Sequence, residues 1–300
     1  MSKSILRYLF IININLIVIA GCQDQANTPT PGEFAEYTQI DFEPSWNLSG
    51  NKITYAHSNV DPDFSGIYSI DSDGSNYIHL ISGFATGPDW SPDESHIVYT
   101  QFNDLYVSKS NGDSISRLTF GSRSNNPKWS GNENLIAYGR TNSVSSDIYV
   151  IRPDGSDNTL IDSNGKYPSW VDDTNSLIYF KQINEGKYNS QIGDSLVQYF
   201  FNTGQINTIA VLKGDNYKFN SYPNMTDNGI IFCSKNNSGY SYIYKIDLNG
   251  ENINRLTETQ GYSPDYCSLN QKIVYTDRNI GNGRLWIMDT NGSNKTQITY

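Results

Sequence analysis

The chain has 300 residues, of which 31 are acidic and 21 basic, and its formal charge is −10. An acidic chain repels phosphate backbones, which argues against a nucleic-acid partner. Beyond residue 21 no stretch approaches the roughly 20 apolar residues of a membrane-spanning helix. The 22 tyrosines, the 24 glycines and the lack of helical periodicity indicate a β-rich protein.

The first 21 residues predict a bacterial lipoprotein signal. Lys3 and Arg7 precede an apolar run that is short for a membrane span, as in secretory signal peptides. Residues 19–22, Ile-Ala-Gly-Cys, resemble the lipobox, in which the cysteine is lipidated and cleavage occurs before it. We therefore expect a lipid on Cys22 to hold the mature chain on a membrane. An ordinary signal peptide followed by a chance cysteine is the alternative.

Residues 22–41 predict a flexible tether. From Gln23 to about Glu33 the chain contains Pro29 and Pro31 and no apolar pattern, which is typical of linkers. Whether Glu36–Asp41 adds a closing strand to the folded unit that follows stays open. Without residues 1–21, 19 basic and 31 acidic residues remain, a formal charge of −12.

A short motif, Pro-x-Trp or a weaker form of it, recurs six times in residues 42–300. Its prolines lie 39 to 55 residues apart, at Pro44, Pro88, Pro127, Pro168, Pro223 and Pro264. Self-similarity with a period near 40 residues is the mark of a repeat array. Six similar units therefore make up this part of the chain.

Each unit contains four short β-branched and aromatic runs bounded by turn residues, which predicts four strands. In the second unit the runs are Pro88–Trp90, Ile97–Tyr99, Leu105–Val107 and Arg117–Thr119. Between the third and fourth runs every unit has a glycine, most often in Asn-Gly or Asp-Gly, the dipeptides of tight hairpins. Four antiparallel strands repeated six times predict an all-β fold, a six-bladed β-propeller of four-stranded antiparallel blades.

The motif also predicts where its own strand lies. Proline cannot donate to a ladder and belongs on an edge strand, and the first strand of a propeller blade is the edge beside the central channel. We expect the tryptophan two residues later to wedge between neighbouring blades. A buried side chain of this size contributes about 1.5–3 kcal/mol.

The run Pro-x-Trp-Ser-Pro-Asp, complete at Pro88–Asp93, is followed by Ile-x-Tyr, by Asp-Gly-Ser-Asn and by Arg-Leu-Thr in the better-preserved units. Together they resemble the WD40-like repeat of TolB-type propellers over residues 42–300. The resemblance implies a propeller in the cell envelope, without the N-terminal α/β domain of TolB. It does not fix a function, because the repeat also occurs in the propeller domains of peptidases and some lyases. Oligopeptidases of this kind need a hydrolase domain, for which no residues remain.

Few residues are placed for chemistry. His57, His79 and His96 fall at different points of the repeat, so we expect strand or surface roles and no metal site. Cys233 and Cys267 lie on different units, and their placement predicts no disulfide. Phosphate loops and nucleophile elbows are absent from the sequence, and we expect no cofactor.

An asparagine stands four residues after the second-strand aromatic in every unit. The six are Asn59, Asn103, Asn142, Asn184, Asn236 and Asn279. Asparagine ends strands well because its side chain bonds local backbone and tolerates left-handed conformations. We therefore favour a structural role over a ring of six ligand-binding amides.

The strand order gives the propeller two faces. First-to-second and third-to-fourth turns share the short-turn face. Second-to-third loops and blade-to-blade connections share the loop-rich face, which also carries a long insertion, Lys181–Ser195. Functional sites favour loops on a rigid scaffold. The candidate partner-binding residues that we assign to the loop-rich face are Lys128, Arg140, Lys181, Tyr188, Tyr217 and Arg278.

The leading hypothesis is a monomeric, non-enzymatic lipoprotein of the bacterial cell envelope that binds a protein or peptide through its loop-rich face. It would face the periplasm or the cell exterior. One alternative is a propeller that binds or cleaves polysaccharide at the channel mouth, and another is a scaffold without a discrete ligand. An enzyme would show acids or histidines clustered at one mouth, and a binder an aromatic and basic patch. The partner, the membrane and the leaflet stay open.

Overall fold

The computed structural model describes residues 39–300 except 132–133, 143–144, 172–173, 186–189, 218 and 279–281. These residues form 24 strands in six antiparallel sheets, each built from four consecutive strands. A 3₁₀ turn, Pro62–Phe64, lies in the second-to-third loop of blade 1. The predicted six-bladed propeller is confirmed. Cys22, Tyr188 and Asn279 lie outside the described residues.

The strands are numbered in chain order, four to a blade. The first strands are β1 (Ile40–Trp46), β5 (Ala85–Trp90), β9 (Ser124–Trp129), β13 (Gly165–Val171), β17 (Phe219–Thr226) and β21 (Gly261–Cys267). The second strands are β2 (Lys52–Ser58), β6 (His96–Gln101), β10 (Ile136–Thr141), β14 (Ser176–Glu185), β18 (Gly229–Lys235) and β22 (Lys272–Asp277). The third strands are β3 (Gly66–Asp71), β7 (Asp104–Lys109), β11 (Ser146–Ile151), β15 (Ser190–Phe200), β19 (Ser241–Ile246) and β23 (Arg284–Asp289). The outer strands are β4 (Ile78–Ser82), β8 (Ser116–Arg117), β12 (Thr159–Asp162), β16 (Gln205–Lys213), β20 (Asn254–Arg255) and β24 (Thr296–Gln297).

The second strand of each blade is buried on both of its faces, because a neighbouring blade covers each side of the sheet. It therefore appears in the sequence as a continuous apolar run, and Ile97, Val98 and Tyr99 are all fully buried. The aromatic residue of this run is at most 2% exposed in every blade: Tyr55, Tyr99, Tyr138, Phe180, Phe232 and Tyr275.

A cluster of buried apolar side chains fills each seam between neighbouring blades of the described ring. Between blades 1 and 2, Ile67 packs in the same cluster as Trp90. Between blades 6 and 1, Val274 shares a cluster with Trp46, and Trp170 fills the seam between blades 3 and 4. The predicted wedge role of the tryptophan is confirmed at these three seams.

The ring closes without an exchanged strand in the described part of the chain. Ile40 and Asp41 begin the first strand of blade 1, and the sixth sheet consists of β21 to β24. Across the closing seam, the Asp41 N–H donates to the Gly283 carbonyl oxygen at 3.0 Å, and the Trp46 N–H donates to Asp265 Oδ2 at 2.8 Å. Residues 39–41 therefore belong to blade 1 and its approach.

The glycine of the third-to-fourth turns serves two purposes. It has a positive φ, for example +79° at Gly250 and +67° at Gly204. In five blades it also lies close to an outer-strand carbonyl of the preceding blade, and a Cβ on Gly250 would lie 1.9 Å from the carbonyl oxygen of Ile209. Gly204 in blade 4 is the exception, with nothing within 4 Å of such a Cβ.

The long insertion of blade 4 is not a loop, so this prediction is wrong. β14 and β15 continue as paired strands, with Lys181 opposite Ser195 and Ile183 opposite Gly193. The neighbouring strand β16 pairs with β15 as far as Gly193. A Cβ at Gly193 would lie 2.2 Å from the Leu212 carbonyl oxygen, so this glycine allows close strand packing rather than a hinge.

Four of the asparagines after the second strands have the local backbone role that we favoured. Three accept backbone N–H groups of their own loops: Asn59 from Asp61, Asn142 from Ser145 and Asn236 from Tyr240. Asn103 adopts a left-handed φ of +64° in a two-residue turn. Asn184 lies within the extended hairpin of blade 4.

Candidate functional site

Every first strand carries a β-bulge just before its proline. The pairing with the second strand shifts register there, in blade 1 between Phe42 and Ser45. The six bulge residues have left-handed φ values of +48° to +58°, and they are Glu43, Gly87, Asn126, Tyr167, Tyr222 and Ser263. Bulges re-aim side chains. Here the bulge residues and the prolines line the narrowest part of the channel, which we call the waist.

The waist is nearly closed. Its free volume is about 30 Å³, which is room for one or two water molecules. Glu43 crosses it, accepting from the Tyr222 hydroxyl at 2.6 Å and from the Gly87 N–H at 2.8 Å. Burial raises the pKa of Glu43, although both hydrogen bonds act to lower it.

On the short-turn side of the waist, the middle residues of the six Pro-x-Trp motifs form a polar ring. They are Ser45, Asp89, Lys128, Ser169, Asn224 and Asp265. We did not predict this ring from the sequence, because its residues were considered one at a time. The sequence does contain a signal for it, since all six residues between a buried proline and a large side chain are polar.

Lys128 crosses the channel within the polar ring. Its Nζ, which extends from blade 3, lies 2.9 Å from Asp89 Oδ1 of blade 2 and 3.2 Å from Asp265 Oδ1 of blade 6. Burial acts to lower the pKa of this amine, but the two carboxylates outweigh burial and raise it. Lys128 is therefore a cation in the channel, and its predicted place on the loop-rich face is wrong because it lies near the short-turn end of β9.

The two aspartates of the ring also connect neighbouring blades. Asp89 Oδ2 accepts the Trp129 N–H at 2.7 Å, and Asp265 Oδ2 accepts the Trp46 N–H at 2.8 Å. Burial raises the pKa of Asp89, and the charge of Lys128 opposes this effect. Two carboxylates and one ammonium give the ring a formal charge of −1.

The channel widens from this ring into a cavity of about 640 Å³ on the short-turn face, the short-turn mouth. Its walls carry the large residue that ends each motif: Trp46, Trp90, Trp129, Trp170, Met225 and Tyr266. The buried indole N–H groups of Trp46 and Trp90 find no partner among the described residues. The rim adds Asp227 and two exposed leucines, Leu48 (61% exposed) and Leu248 (53%).

The remaining predicted site residues are spread over blades 3 to 6 and contact neighbours within the chain. The contacts are Arg140 over the Tyr149 ring at 5.4 Å, Lys181 Nζ to Asp162 Oδ2 at 2.7 Å, Tyr217 against Tyr244 at 5.3 Å, and Arg278 over Tyr262 at 4.9 Å. They do not converge on one cavity of the loop-rich face among those found in the described residues.

Two of the three histidines lie on strands of blade 1, on opposite sides of Tyr68. Tyr68 stacks on His79 at 4.2 Å and lies edge-on to His57 at 5.2 Å, because neighbouring strands place these residues side by side. His57 Nδ1 lies 2.6 Å from Asp41 Oδ1. Asp41, His57 and Tyr68 line a second cavity of about 640 Å³ at the seam of blades 6 and 1, the seam cavity.

Three further features concern the described ranges of the chain. No group of three or more His, Cys, Asp or Glu side chains there could hold a metal ion. Cys233 and Cys267 are buried free thiols. No helix in the same ranges has the length and apolarity to cross a membrane.

No family model and no curated protein matches this sequence. Solved structures do match it. The putative TolB from Agrobacterium tumefaciens has a TM-score of 0.62 and 20% identity over 74% of this chain and 84% of that chain. TolB from Acinetobacter baumannii has a TM-score of 0.65 and 18% identity over 88% of this chain and 64% of that chain. The chain has the fold of the TolB propellers.

The tricorn protease is also similar, with a TM-score of 0.63 and 15% identity over 87% of this chain and 26% of that one. The TolB resemblance predicted from the repeat is therefore confirmed as a likeness of fold, and a protease shares it. This chain spans 64% of the length of the Acinetobacter protein and about a quarter of the protease. Function has to be argued from the site itself.

Proposed function

We propose that this protein is a monomeric, non-enzymatic lipoprotein of the bacterial cell envelope that binds a protein or peptide partner in its short-turn mouth. The observation that carries the proposal is a rim with exposed apolar side chains above the polar ring, in which two carboxylates face one ammonium. Leu48 and Leu248 stand exposed at the rim, while Asp89 and Asp265 share the single ammonium of Lys128. A partner segment with apolar side chains and a basic group at its tip complements both features.

The loop-rich face is the competing surface for the same function. Its candidate side chains already have contacts within the chain, such as Lys181 with Asp162 and Arg278 with Tyr262. A partner would have to replace these contacts. In the mouth, the side chains of Leu48 and Leu248 are exposed, so a partner can cover them without breaking an ion pair. We therefore favour the mouth and leave the loop-rich face as an outcome of the test.

A polysaccharide is the competing ligand. Sugar rings stack on open aromatic faces, but Trp46, Trp90 and Trp170 are only 6 to 9% exposed because they wedge between blades. Polysaccharide cleavage needs free carboxyl groups, and Asp89 and Asp265 are held by Lys128 and by backbone N–H groups. These observations favour a polypeptide ligand.

Site-specific photocrosslinking of the intact lipoprotein in its own envelope tests this proposal. A photoreactive residue at Leu48 or at Leu248 should crosslink the same polypeptide, and Asp227→Lys should weaken that crosslink by reversing a charge on the rim. Leu269 is a matched control, since it is an exposed leucine of the short-turn face that does not line the mouth. Crosslinking from Arg140 but not from the two leucines would move the site to the loop-rich face.

The lipid anchor has its own test. Metabolic labelling with a radioactive fatty acid should mark the wild type and leave Cys22→Ala unlabelled. Label that persists in the variant would remove Cys22 as the anchor, whatever the crosslinking shows.

A further inference from the structure

Four phenylalanines project from one side of the loop-rich face. Phe64 and Phe84 lie after the second strand and after the outer strand of blade 1, and Phe102 and Phe120 lie at the matching places of blade 2. Their exposed fractions are 54 to 75%. Exposed apolar side chains are usually scattered singly, whereas these four recur on consecutive loops. We call them the phenylalanine arc.

Hydrogen bonds join the loops of the arc in order around the ring. The three bonds, each 2.9 Å, run from Gly83 N–H to the Ser65 carbonyl, from Gln101 Nε2 to the Ser82 carbonyl, and from Ser124 N–H to the Asn103 carbonyl. The loop of each phenylalanine is therefore fixed to the loop of the next. The arc is one continuous surface on the rim of blades 1 and 2.

The fold does not account for Phe102. It has a φ of +52° and Asn103 has +64°, so both residues of this two-residue turn are left-handed, where asparagine, aspartate and glycine are preferred. A bulky residue in that region is strained. The Phe102 side chain is 73% exposed, so packing within the chain does not offset the strain. An outside contact is the remaining reason for an aromatic ring here.

Charged groups of both signs surround the arc. Asp61 and Asp63 precede Phe64 in the same loop. The Arg117 guanidinium lies 4.7 Å from the centre of the Phe120 ring and pairs at 2.6 Å with Asp104, while Arg123 follows on the same connection. Three acids and two bases leave a formal charge of −1 beside the four rings. Most of the negative charge of the chain therefore lies elsewhere, and an anionic surface repels the arc only weakly.

The chain enters the propeller beside the arc. First strands run from the loop-rich face to the short-turn face, so β1 begins at Ile40 on the loop-rich face of blade 1. Cys22 precedes Gln39 by 17 residues, which at full extension reach about 60 Å. A lipid on Cys22 would therefore hold blade 1 within that distance of a bilayer.

We infer that the phenylalanine arc is a membrane-contact surface. The propeller lies with the loop-rich edge of blades 1 and 2 against a lipid bilayer, its phenyl rings in the interface and its short-turn mouth facing away. Phe84, Phe102 and Phe120 line none of the three cavities described above. Separate rings on convex loop tips suit a fluid apolar phase, which needs no shape match. The orientation rests on the proposed anchor, whereas the contact stands on the arc alone.

An environment-sensitive fluorophore on an introduced cysteine tests the contact. The full-length protein carries the label in Phe102→Cys or Phe84→Cys, with Leu269→Cys on the short-turn face as the matched exposed control. Cys233 and Cys267 are buried and resist labelling. A lipid on Cys22 blocks its thiol, and in a preparation without lipid Cys22→Ser removes that thiol before labelling. In vesicles of phosphatidylethanolamine with a minor fraction of phosphatidylglycerol, labels at Phe102 and Phe84 should shift to shorter wavelength. Iodide in the water should quench them several-fold less than the label at Leu269.

Equal quenching at all three positions would overturn the inference. So would protection at Phe102 that appears only after envelope proteins are added, because the arc would then be a protein interface. Mass spectrometry of the same preparation reports the lipid on Cys22. If the chain carries no lipid and its labels still enter added vesicles, the lipid anchor on Cys22 is rejected and the membrane contact of the arc is supported. As a check, Phe84→Ser with Phe102→Ser should keep the melting temperature and abolish the protection of a label at Phe120→Cys.

Discussion

At the residue scale, the polar ring is the part of the propeller that tolerates change least. Lys128 holds two carboxylates that come from blades on either side of blade 1. Each carboxylate also accepts a backbone N–H from the next blade. Removing the ammonium would leave two negative charges close together in a largely enclosed channel. Removing a partner from a buried ion pair is strongly destabilising.

Lys128→Met, which keeps the length of the side chain, should lower the free energy of unfolding by about 3 kcal/mol. The loss should shrink as the pH falls, because burial raises the pKa of Asp89 and protonation of Asp89 removes part of the uncompensated charge. Denaturant titrations of variant and wild type at several pH values measure both effects. Lys52→Met is the control, since Lys52 pairs with Asp71 at the surface of blade 1 and should change little. Equal stability of the two variants would contradict a buried ion cluster.

Glu43 should make the wild type less stable as the pH rises. Burial raises its folded-state pKa above the ordinary value of 4.5, so above that pH the folded state retains a proton that the unfolded state releases. Raising the pH through this window therefore favours unfolding, until the folded-state pKa is passed. Glu43→Gln removes the titration and can still bond Tyr222 and Gly87. The wild type should lose stability relative to Glu43→Gln as the pH rises above 4.5. A constant difference would rule out the raised pKa.

At the scale of strands and turns, single residues of the repeat have more than one structural role. The turn glycine allows the left-handed hairpin and also the close approach of the preceding blade. Gly250 and Gly204 separate the two tasks, because both have a positive φ but only Gly250 lies against a carbonyl, that of Ile209.

Gly204→Ala should cost about 1 kcal/mol for the left-handed conformation alone. Gly250→Ala should lower the free energy of unfolding by about 1–3 kcal/mol more than Gly204→Ala does, because its Cβ would displace the Ile209 carbonyl. Thermal and denaturant unfolding of the two single variants gives the comparison. Similar losses of stability in the two variants would mean that the Ile209 backbone of the preceding blade moves to accommodate the added methyl group.

The sequence predicted the elements whose side chains repeat and missed those set by pairing between distant strands. Pro-x-Trp and Ile-x-Tyr recur because every blade buries them in the same seam, so the propeller was predictable. The extension of β14 and β15 was not, since its polar residues and Gly193 resemble a loop until β16 pairs beside them. Lys128 was assigned to the wrong face although strand direction predicts its place, because β9 ends at Trp129 on the short-turn face. The direction of its side chain into the channel was not predictable, because a bulge interrupts β9 and the alternation along the strand breaks there.

At the scale of the whole molecule, the described ring has six packed seams and no exchanged strand. The closing seam between blades 6 and 1 uses the same kind of cluster as the other five, with Trp46 against Val274 and Leu285. Every blade therefore depends on both of its neighbours. A closed sheet array also leaves no interior edge free for unwanted pairing.

Deleting residues 264–300 should give an aggregating or unfolded product. The deletion removes Asp265 and Val274, and with them the cover of Trp46 and a carboxylate partner of Lys128. Size-exclusion chromatography and a melting curve of the shortened chain test this. A soluble five-bladed form with a sharp transition would contradict the dependence of each blade on its neighbours.

The bulge before each proline gives the molecule a modular centre. All six positions share one backbone conformation, yet they hold glutamate, glycine, asparagine, tyrosine twice and serine. The scaffold thus determines the position of each bulge side chain but not its chemical type. The six bulge residues could therefore be substituted one blade at a time, so that the channel admits, excludes or binds different molecules while the packing of every seam is unchanged.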